Sequence, residues 1–493
     1  MDELNEKAGR MNTWARSFAV AAITVCVGCI FYKYEYSFEQ VTSAAVFTLI
    51  IAAATMFWEF HVPIAFVGIG LLLVCDVMDI PAMIASSNLD VILFLMGMMV
   101  IIGVLRDLGL FSWIIIKVIS IPSLSARRFV FTFFFIGALM SCLVDEVTSI
   151  VLIAALIFQV CDTLNLKPVP FVIMAVMAAN IGSTGTMLGN PVGLLIGQNA
   201  EPPLSFIDFM HWSFPIMLVE LTVVLVFLLW MFRKEIRRMD DEMRARRDSG
   251  LTLGPIVDIP YGRGLLVLVV LVGMLSIHTR IENWLGLSPN TMLITTPLFL
   301  SGLLLLWRRG HVHKYIAEDV EWSTLIFFMM LFVVAGTLRH TNVTGRIADG
   351  FVHRFGNEID VLIPVVLGIS ALGSAFIENV IFVAAFMPIA VKLDHTPLLW
   401  ALLHGACLGG NITMIGSTAN IAAISMLEKR YWTKVNFFVW LKTGVAVGVL
   451  SCLVAWIGLS ITAPYMPTKE QRLQAIERAP RHTLSDPANG AAE

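Results

Sequence analysis

The sequence predicts an all-α polytopic membrane protein with two inverted-topology repeats. Its 493 residues are 58% hydrophobic and only 14% charged, whereas a soluble protein carries about 25% charged residues. Apolar runs of about 20 residues, long enough to cross a bilayer, recur along the chain. Two regions that are far apart in the chain also share one pattern of acidic residues and glycines within apolar sequence. These observations predict about 11 transmembrane crossings and two re-entrant hairpins, with one broken helix in each repeat.

Three spans precede the first repeat. They are expected at about residues 14–32, 41–59 and 63–79. The last two are separated at Pro63, because proline cannot continue a helix. Residues 1–87 are therefore expected to form an N-terminal scaffold unit.

The two repeats are predicted to contain the same series of elements. Repeat 1, residues 88–232, is expected to have a span at about 88–105, an amphipathic connector at about 107–120, a hairpin at about 128–162, a broken span at about 170–198 and a last span at about 213–232. Repeat 2, residues 321–463, is expected to have a span at about 322–339, a hairpin at about 360–393, a broken span at about 397–426 and a last span at about 436–463.

Three further segments connect or follow the repeats. Residues 233–262 form a charged loop, for which a solvated helical extension is favoured over a nucleic-acid site. Residues 263–320 supply two connecting spans. The tail, 464–493, is polar and rich in Pro and Ala, and disorder is expected there.

Basic residues predict the orientation. Lysine and arginine accumulate in cytoplasmic loops, and both 233–247 and 308–314 are rich in them. Counting spans from these loops places the N-terminus in the cytoplasm and the C-terminus outside, and it gives the two repeats opposite orientations. The expected location is the bacterial inner (cytoplasmic) membrane.

The two broken spans carry the first group of candidate site residues. Glycine and small hydroxyl residues replace good helix formers over Gly182–Gly189 and Gly409–Gly416. Unwound backbone at membrane depth offers carbonyls to a cation and a helix N-terminus to an anion. The alternative is close helix packing through small residues. The neutral polar candidates for ion or substrate binding are Asn180, Ser183, Thr184, Thr186, Asn190, Asn411, Thr413, Ser417, Thr418 and Asn420.

The hairpin tips carry the second group. Asp145 aligns with Glu378, and Glu146 aligns with Asn379. Carboxylates in apolar surroundings can bind a hard cation such as sodium, carry a proton, or form a static ion pair with a basic residue. No basic residue occurs at the tips in sequence, which favours the first two possibilities.

His404 lies about five residues before the second break and is a candidate proton relay, although a hydrogen bond to a neighbouring helix is the alternative.

No catalytic constellation or phosphate-binding loop occurs, so neither an enzyme nor an ATP-driven pump is expected. No cofactor is expected. The seven cysteines are not spaced as metal ligands, and no resident metal site is predicted.

At these residues the chain resembles the ion transporter superfamily, which includes arsenite permeases, NhaD-type sodium/proton antiporters, the pink-eyed-dilution protein and, more distantly, the sodium/dicarboxylate symporters. Residues 405–420 and 180–191 are similar to the second and first signatures of that group, as is Glu378-Asn379 with Pro388 nine residues after Asn379. The group usually has Asp-Asn at both tips, whereas this chain has Asp145-Glu146 at the first. The resemblance implies a scaffold bearing a mobile transport domain, and a homodimer.

These observations predict a secondary active transporter driven by an ion gradient. Sodium/proton antiport is favoured because the acidic tips lack basic partners. An anion permease of the arsenite or dicarboxylate type is the first alternative, and a non-transporting membrane scaffold with a transporter fold is the second. The expected partners are sodium, protons or a small anion, together with the lipid bilayer, and no nucleic acid.

Overall fold

The computed structural model describes residues 2–121, 124–249, 260–432 and 435–478, and all regular secondary structure in these ranges is helical. Eight helices of the described chain are long and apolar enough to cross a membrane. A bent helix pair raises the number to nine. The predicted fold class, an all-α polytopic membrane protein, is confirmed.

The N-terminal unit begins with a long helix, and its residues Thr13–Lys33 are largely exposed, which suits contact with lipid. Its helices are α1 (Asp2–Lys33), α2 (Phe38–Met56), α3 (His61–Val74) and α4 (Ile80–Ser86). Helix α2 ends at Met56 and α3 begins at His61, so the predicted break is present and Pro63 lies in the first turn of α3, where proline is tolerated.

Repeat 1 contains a helical hairpin followed by a broken helix. Its helices are α5 (Leu89–Asp107), α6 (Leu110–Ile119), α7 (Ala126–Leu143), α8 (Glu146–Thr163), α9 (Val169–Gly182), α10 (Pro191–Asn199), α11 (Phe206–Asp208) and α12 (Phe214–Met231), with a π-helical turn at Phe209–Ser213. The hairpin is α7 and α8, and the broken helix is α9 and α10.

Charged and apolar helices connect the repeats. They are α13 (Arg233–Asp248), α14 (Gly262–Ser276), α15 (His278–Leu285) and α16 (Thr291–Trp307). Helices α14 and α15 are the bent pair, with an angle of 56° between them. Helix α13 is amphipathic: Ile236, Met239 and Met243 are buried, so only part of the predicted helical extension is solvated. Residues 250–259 of the predicted charged loop lie outside the described residues.

Repeat 2 follows the order of repeat 1. Its helices are α17 (Trp322–His340), α18 (Val343–Phe355), α19 (Ile359–Ser374), α20 (Asn379–Lys392), α21 (Thr396–Gly409), α22 (Thr418–Tyr431) and α23 (Phe437–Thr462). Helix α7 packs on α9, and α19 packs on α21 in the same way. Across the repeats, α8 packs on α22 and α10 packs on α20. The core is therefore formed jointly by the two hairpins and the two broken helices.

Ion pairs join residues that are predicted to lie on the same side of the membrane. Arg430 pairs with Asp162 at 2.7 Å between nitrogen and oxygen, at the ends of α22 and α8. Lys469 lies 3.4 Å from Glu201 and 3.3 Å from Asp394. These contacts agree with the predicted order of spans, while the cytoplasmic position of the N-terminus stays a prediction.

The tail requires a correction. The polar composition of residues 464–493 predicts disorder, but Lys469–Arg478 form helix α24. Arg472 in this helix donates hydrogen bonds to the carbonyls of Pro202 and Pro203. A short polar helix is stabilised there by contacts with the loop after α10, which the composition of the tail does not reveal. Residues 479–493 lie outside the described residues.

Candidate functional site

Glycines allow each broken helix to lie directly against its hairpin. A Cβ atom added to Gly182 would lie 2.2 Å from the carbonyl oxygen of Ala138, and one added to Gly409 would lie 2.3 Å from that of Ala371. Real Cβ atoms essentially never come so close, so only glycine fits at either position. The ends of α9 and α21 are thereby held against α7 and α19.

Threonines attach each break to the hairpin tip. The hydroxyl of Thr186 donates a hydrogen bond to the carbonyl of Cys142, and the hydroxyl of Thr413 donates to that of Ala375. The two threonines are aligned in the sequence and have equivalent partners in the two hairpins. The same contact in both halves is the local evidence for two structurally equivalent repeats.

The aligned acids Asp145 and Glu378 cap helices. Asp145 accepts hydrogen bonds from the backbone N–H groups of Val147, at 2.8 Å, and Thr148, at 3.1 Å, at the start of α8. Glu378 accepts from Val380 at 2.9 Å and Ile381 at 3.3 Å, at the start of α20. A carboxylate is stabilised by the unpaired N–H groups and partial positive charge of a helix N-terminus.

Glu146, the second residue of the first tip, faces the opposite repeat. Its side chain is buried, and its Oε1 accepts a hydrogen bond of 3.2 Å from the hydroxyl of Ser417. The side-chain amides of Asn190 and Asn379 lie beside it. Within the described part of the chain, Glu146 Oε2 and Asn379 Nδ2 are buried without a hydrogen-bond partner. These are free polar atoms at the junction of the repeats.

An amide cluster joins the two broken helices. Asn180 Nδ2 donates to Asn411 Oδ1 at 2.9 Å and to Asn420 Oδ1 at 3.0 Å. Ser417 Oγ lies 3.1 Å from Asn180 Oδ1, so its single hydroxyl proton is shared between this oxygen and Glu146 Oε1. Asn420 Nδ2 in turn donates to the carbonyls of Gly410 and Thr413, at 2.7 and 2.8 Å. The cluster therefore satisfies backbone carbonyls that the second break leaves without helical partners.

The remaining predicted residues line the first break and the start of α22. Asn190 caps α10 and donates from Nδ2 to Ser183 Oγ at 2.9 Å and to Cys407 Sγ at 3.1 Å. The hydroxyl of Thr184 donates to the carbonyl of Ile181 within its own turn. Thr418 is the half-buried first residue of α22.

Four helices begin at the hairpin tips and the breaks, and their N-termini differ in the charge of the capping residue. Those of α8 and α20 are capped by acidic side chains, whereas those of α10 and α22 are capped by the neutral Asn190 and Ser417. A helix N-terminus without an acidic cap favours a bound anion. No lysine or arginine in the described ranges forms an ion pair with Asp145, Glu146 or Glu378.

His404 pairs with an acid that the sequence analysis missed. His404 Nδ1 lies 2.8 Å from Glu220 Oε1 on α12, and both side chains are fully buried. His404 Nε2 lies 2.9 Å from Ser213 Oγ, which donates to the carbonyl of Thr184 at 2.6 Å. The sequence contained a signal, because Glu220 is an acid within the apolar helix Phe214–Met231 and such residues are rarely accidental.

The comparisons agree with a membrane transporter. Residues 46–405 match the family model described as citrate transporter (CitMHS), and the chain belongs to that family. It is 32% identical over 389 residues to a 46 kDa membrane protein of Mycobacterium leprae, covering 75% of this chain and 85% of the relative. An uncharacterized transporter of Mycobacterium tuberculosis is 30% identical over 389 residues with the same coverage.

A third relative confirms the resemblance inferred from the motifs. The human P protein is 25% identical over 441 residues, covering 74% of this chain and 52% of the relative, so the chain matches about half of that protein. Among solved structures, the YdaH transporter of Alcanivorax borkumensis is similar, with a TM-score of 0.50 and 15% identity over 77% of this chain and 86% of that one. At this identity the likeness concerns the fold alone.

Proposed function

We propose that the protein is an ion-coupled secondary transporter in which Glu146 binds a coupling cation, sodium or a proton, and the broken helices bind a small carboxylate anion. The observation that carries the proposal is the position of Glu146. Its carboxylate is buried between the two repeats, accepts one hydrogen bond from Ser417 and has a free oxygen, Oε2.

A buried carboxylate needs a positive partner or a proton. Transfer of an unpaired charge out of water costs several kcal/mol or more, and among the described residues no basic side chain offsets the charge of Glu146. Glu146 Oε2 is a free oxygen, and the side-chain oxygen of Asn180 is linked to the same carboxylate through Ser417. Such oxygen ligands suit a hard cation.

The N-termini of α10 and α22 support an anionic cargo. Their caps, Asn190 and Ser417, are neutral, so the partial positive charge of each helix remains available to an anion. The family description, citrate transporter, names a carboxylate. A negative Glu146 would repel that cargo, and a bound cation or proton would remove the repulsion, which supplies a physical reason for coupling.

The test is flux in liposomes with the purified protein and radiolabelled citrate as probe. Sodium and proton gradients are imposed separately on wild type, Glu146→Gln and the matched control Glu428→Gln, which changes an exposed acid at the far end of α22. We expect Glu146→Gln to lower cation-driven flux about tenfold or more, because a hydrogen bond to a charged group contributes about 1.5–3 kcal/mol. The control should retain its flux. Undiminished, cation-dependent flux in Glu146→Gln would exclude the proposed role.

Sodium/proton antiport remains the second candidate. It is favoured by three acids at the tips, Asp145, Glu146 and Glu378, without a basic ion-pair partner in the described ranges. In the same liposomes, a sodium gradient should then move protons with no anion present, as followed by an entrapped pH-sensitive dye. Proton movement that requires citrate would favour the anion transporter instead.

A further inference from the structure

We infer that Glu220 and His404 together form a second proton-binding site, and that its occupancy acts on the first break through Ser213. The inference rests on the proposed function, because it supplies a proton to the transport cycle. Glu220 lies on α12 and His404 on α21, so the pair also joins the last helix of repeat 1 to the broken helix of repeat 2.

The hydrogen-bond directions fix the position of one proton. A carbonyl can only accept, so the single hydroxyl proton of Ser213 is donated to Thr184 O. Towards His404 the hydroxyl of Ser213 can therefore only accept, and His404 Nε2 must carry a hydrogen. The histidine is thus held in one orientation.

A second proton must lie between His404 Nδ1 and Glu220 Oε1, which are 2.8 Å apart. If it lies on the nitrogen, the pair is an imidazolium with a carboxylate, and if it lies on the oxygen, both groups are neutral. In either arrangement the pair is electrically neutral and holds the same number of protons. This suits its complete burial, since an uncompensated charge there would be costly.

Loss of the shared proton to water would leave a net negative pair. Two acceptors, Nδ1 and Oε1, would then face one another at hydrogen-bond distance, and the imidazole must turn or move away. Glu220 Oε2 is already buried without a partner, so the carboxylate has no other donor in the described structure. The titratable groups near Glu220 are the thiols of Cys407 on α21 and Cys452 on α23.

Ser213 transmits such a movement to the candidate site. Its hydroxyl bridges His404 Nε2 and the carbonyl of Thr184, which lies inside the first break. Trp440 occupies the equivalent place in the other repeat, where its Nε1 donates to the carbonyl of Asn411 at 3.2 Å. That bond involves no titratable group, so the response to protons is confined to the first break.

The experiment measures protonation and transport separately. Ring-nitrogen-labelled histidine is followed by nuclear magnetic resonance in the purified protein over about pH 5 to 9, the range in which histidine changes charge. The His404 signal is assigned by its loss in His404→Gln. Citrate flux in liposomes is measured over the same range for wild type, Glu220→Gln, Ser213→Ala and the packing control Cys452→Ala.

We expect the His404 signal and the wild-type flux to change together with pH. In Glu220→Gln, the His404 signal should respond to pH differently from that of wild type, because the partner of Nδ1 has changed, and the flux should lose its dependence on pH. In Ser213→Ala, the His404 titration should persist while the flux no longer follows it. Cys452→Ala should behave as wild type in both measurements.

Two results would overturn the inference: an unchanged protonation state of His404 across the range, or a wild-type pH profile of flux in both Glu220→Gln and Ser213→Ala. Should Glu220→Gln fail to fold, Ser213→Ala decides the second point. If neither citrate nor sodium moves under any gradient while His404 still titrates and responds to Glu220→Gln, the proposed function fails and the proton site stands.

Discussion

Substitution of Gly409 by alanine tests how closely the broken helix must lie against its hairpin. The new methyl group would lie 2.3 Å from Ala371 O and 2.6 Å from Ala371 Cα, both atoms of the backbone. Because comfortable contacts begin near 3.5 Å, α21 and α19 would have to separate by about 1 Å. Insertion of a methyl group into a packed core costs about 1–3 kcal/mol. The gain in helix propensity, about 1 kcal/mol, does not offset the upper part of that range.

Gly368→Ala is the matched control, because it lies in α19 itself and a Cβ atom there would meet nothing within 4 Å. Thermal unfolding in detergent should show a lower midpoint for Gly409→Ala than for Gly368→Ala. Flux should fall by up to about 100-fold, as a displacement of about 1 Å of positioned groups can cause. Gly182→Ala should have the same effect in repeat 1. If Gly409→Ala keeps the midpoint and flux of the control, the close contact is not required and the geometry described for the site is wrong.

Three other substitutions have defined outcomes. Asn180→Leu removes the central donor of the amide cluster. It should destabilise the protein by about 1–3 kcal/mol in thermal unfolding and abolish flux in liposomes. Full flux in this variant would contradict a binding role for Asn180. Thr413→Val keeps the shape of the side chain but loses its hydrogen bond to the carbonyl of Ala375. The free energy of unfolding should fall by about 1 kcal/mol. An unchanged free energy of unfolding would show that this hydrogen bond does not stabilise the protein. Asp349→Asn removes the charge of an exposed ion pair with Lys392, which keeps its hydrogen bond to the carbonyl of Gly345, and should change stability by less than about 1 kcal/mol. A larger loss in thermal unfolding would show that the pair is more than a surface contact.

The sequence located the hairpins and breaks with little error. The first break was predicted at Gly182–Gly189, and the structure ends α9 at Gly182 and begins α10 at Pro191. The reason is that glycine and small polar residues weaken a helix locally, so their effect is visible without knowledge of neighbours. Apolar length likewise reveals a helix that must satisfy its own backbone hydrogen bonds in lipid.

The orientation of the tip acids could not be predicted in the same way. Asp145 and Glu146 are adjacent, and both are acids in apolar sequence. Because α8 begins at Glu146, Asp145 takes the capping position and Glu146 turns towards Ser417. A difference of one residue in the start of a helix therefore decides which side chain faces the candidate site.

What the sequence determined by itself is the membrane class, the repeated order of helices, and the positions where polar groups interrupt them, because each follows from local composition and periodicity. What only the tertiary structure decided is which of those polar groups meet. Glu220 and His404 are separated by 184 residues in the chain, and Asn180 is separated from Asn411 by 231. Their contacts exist because helices from opposite repeats pack together, and the chemistry of a buried polar group depends on the partner that this packing supplies.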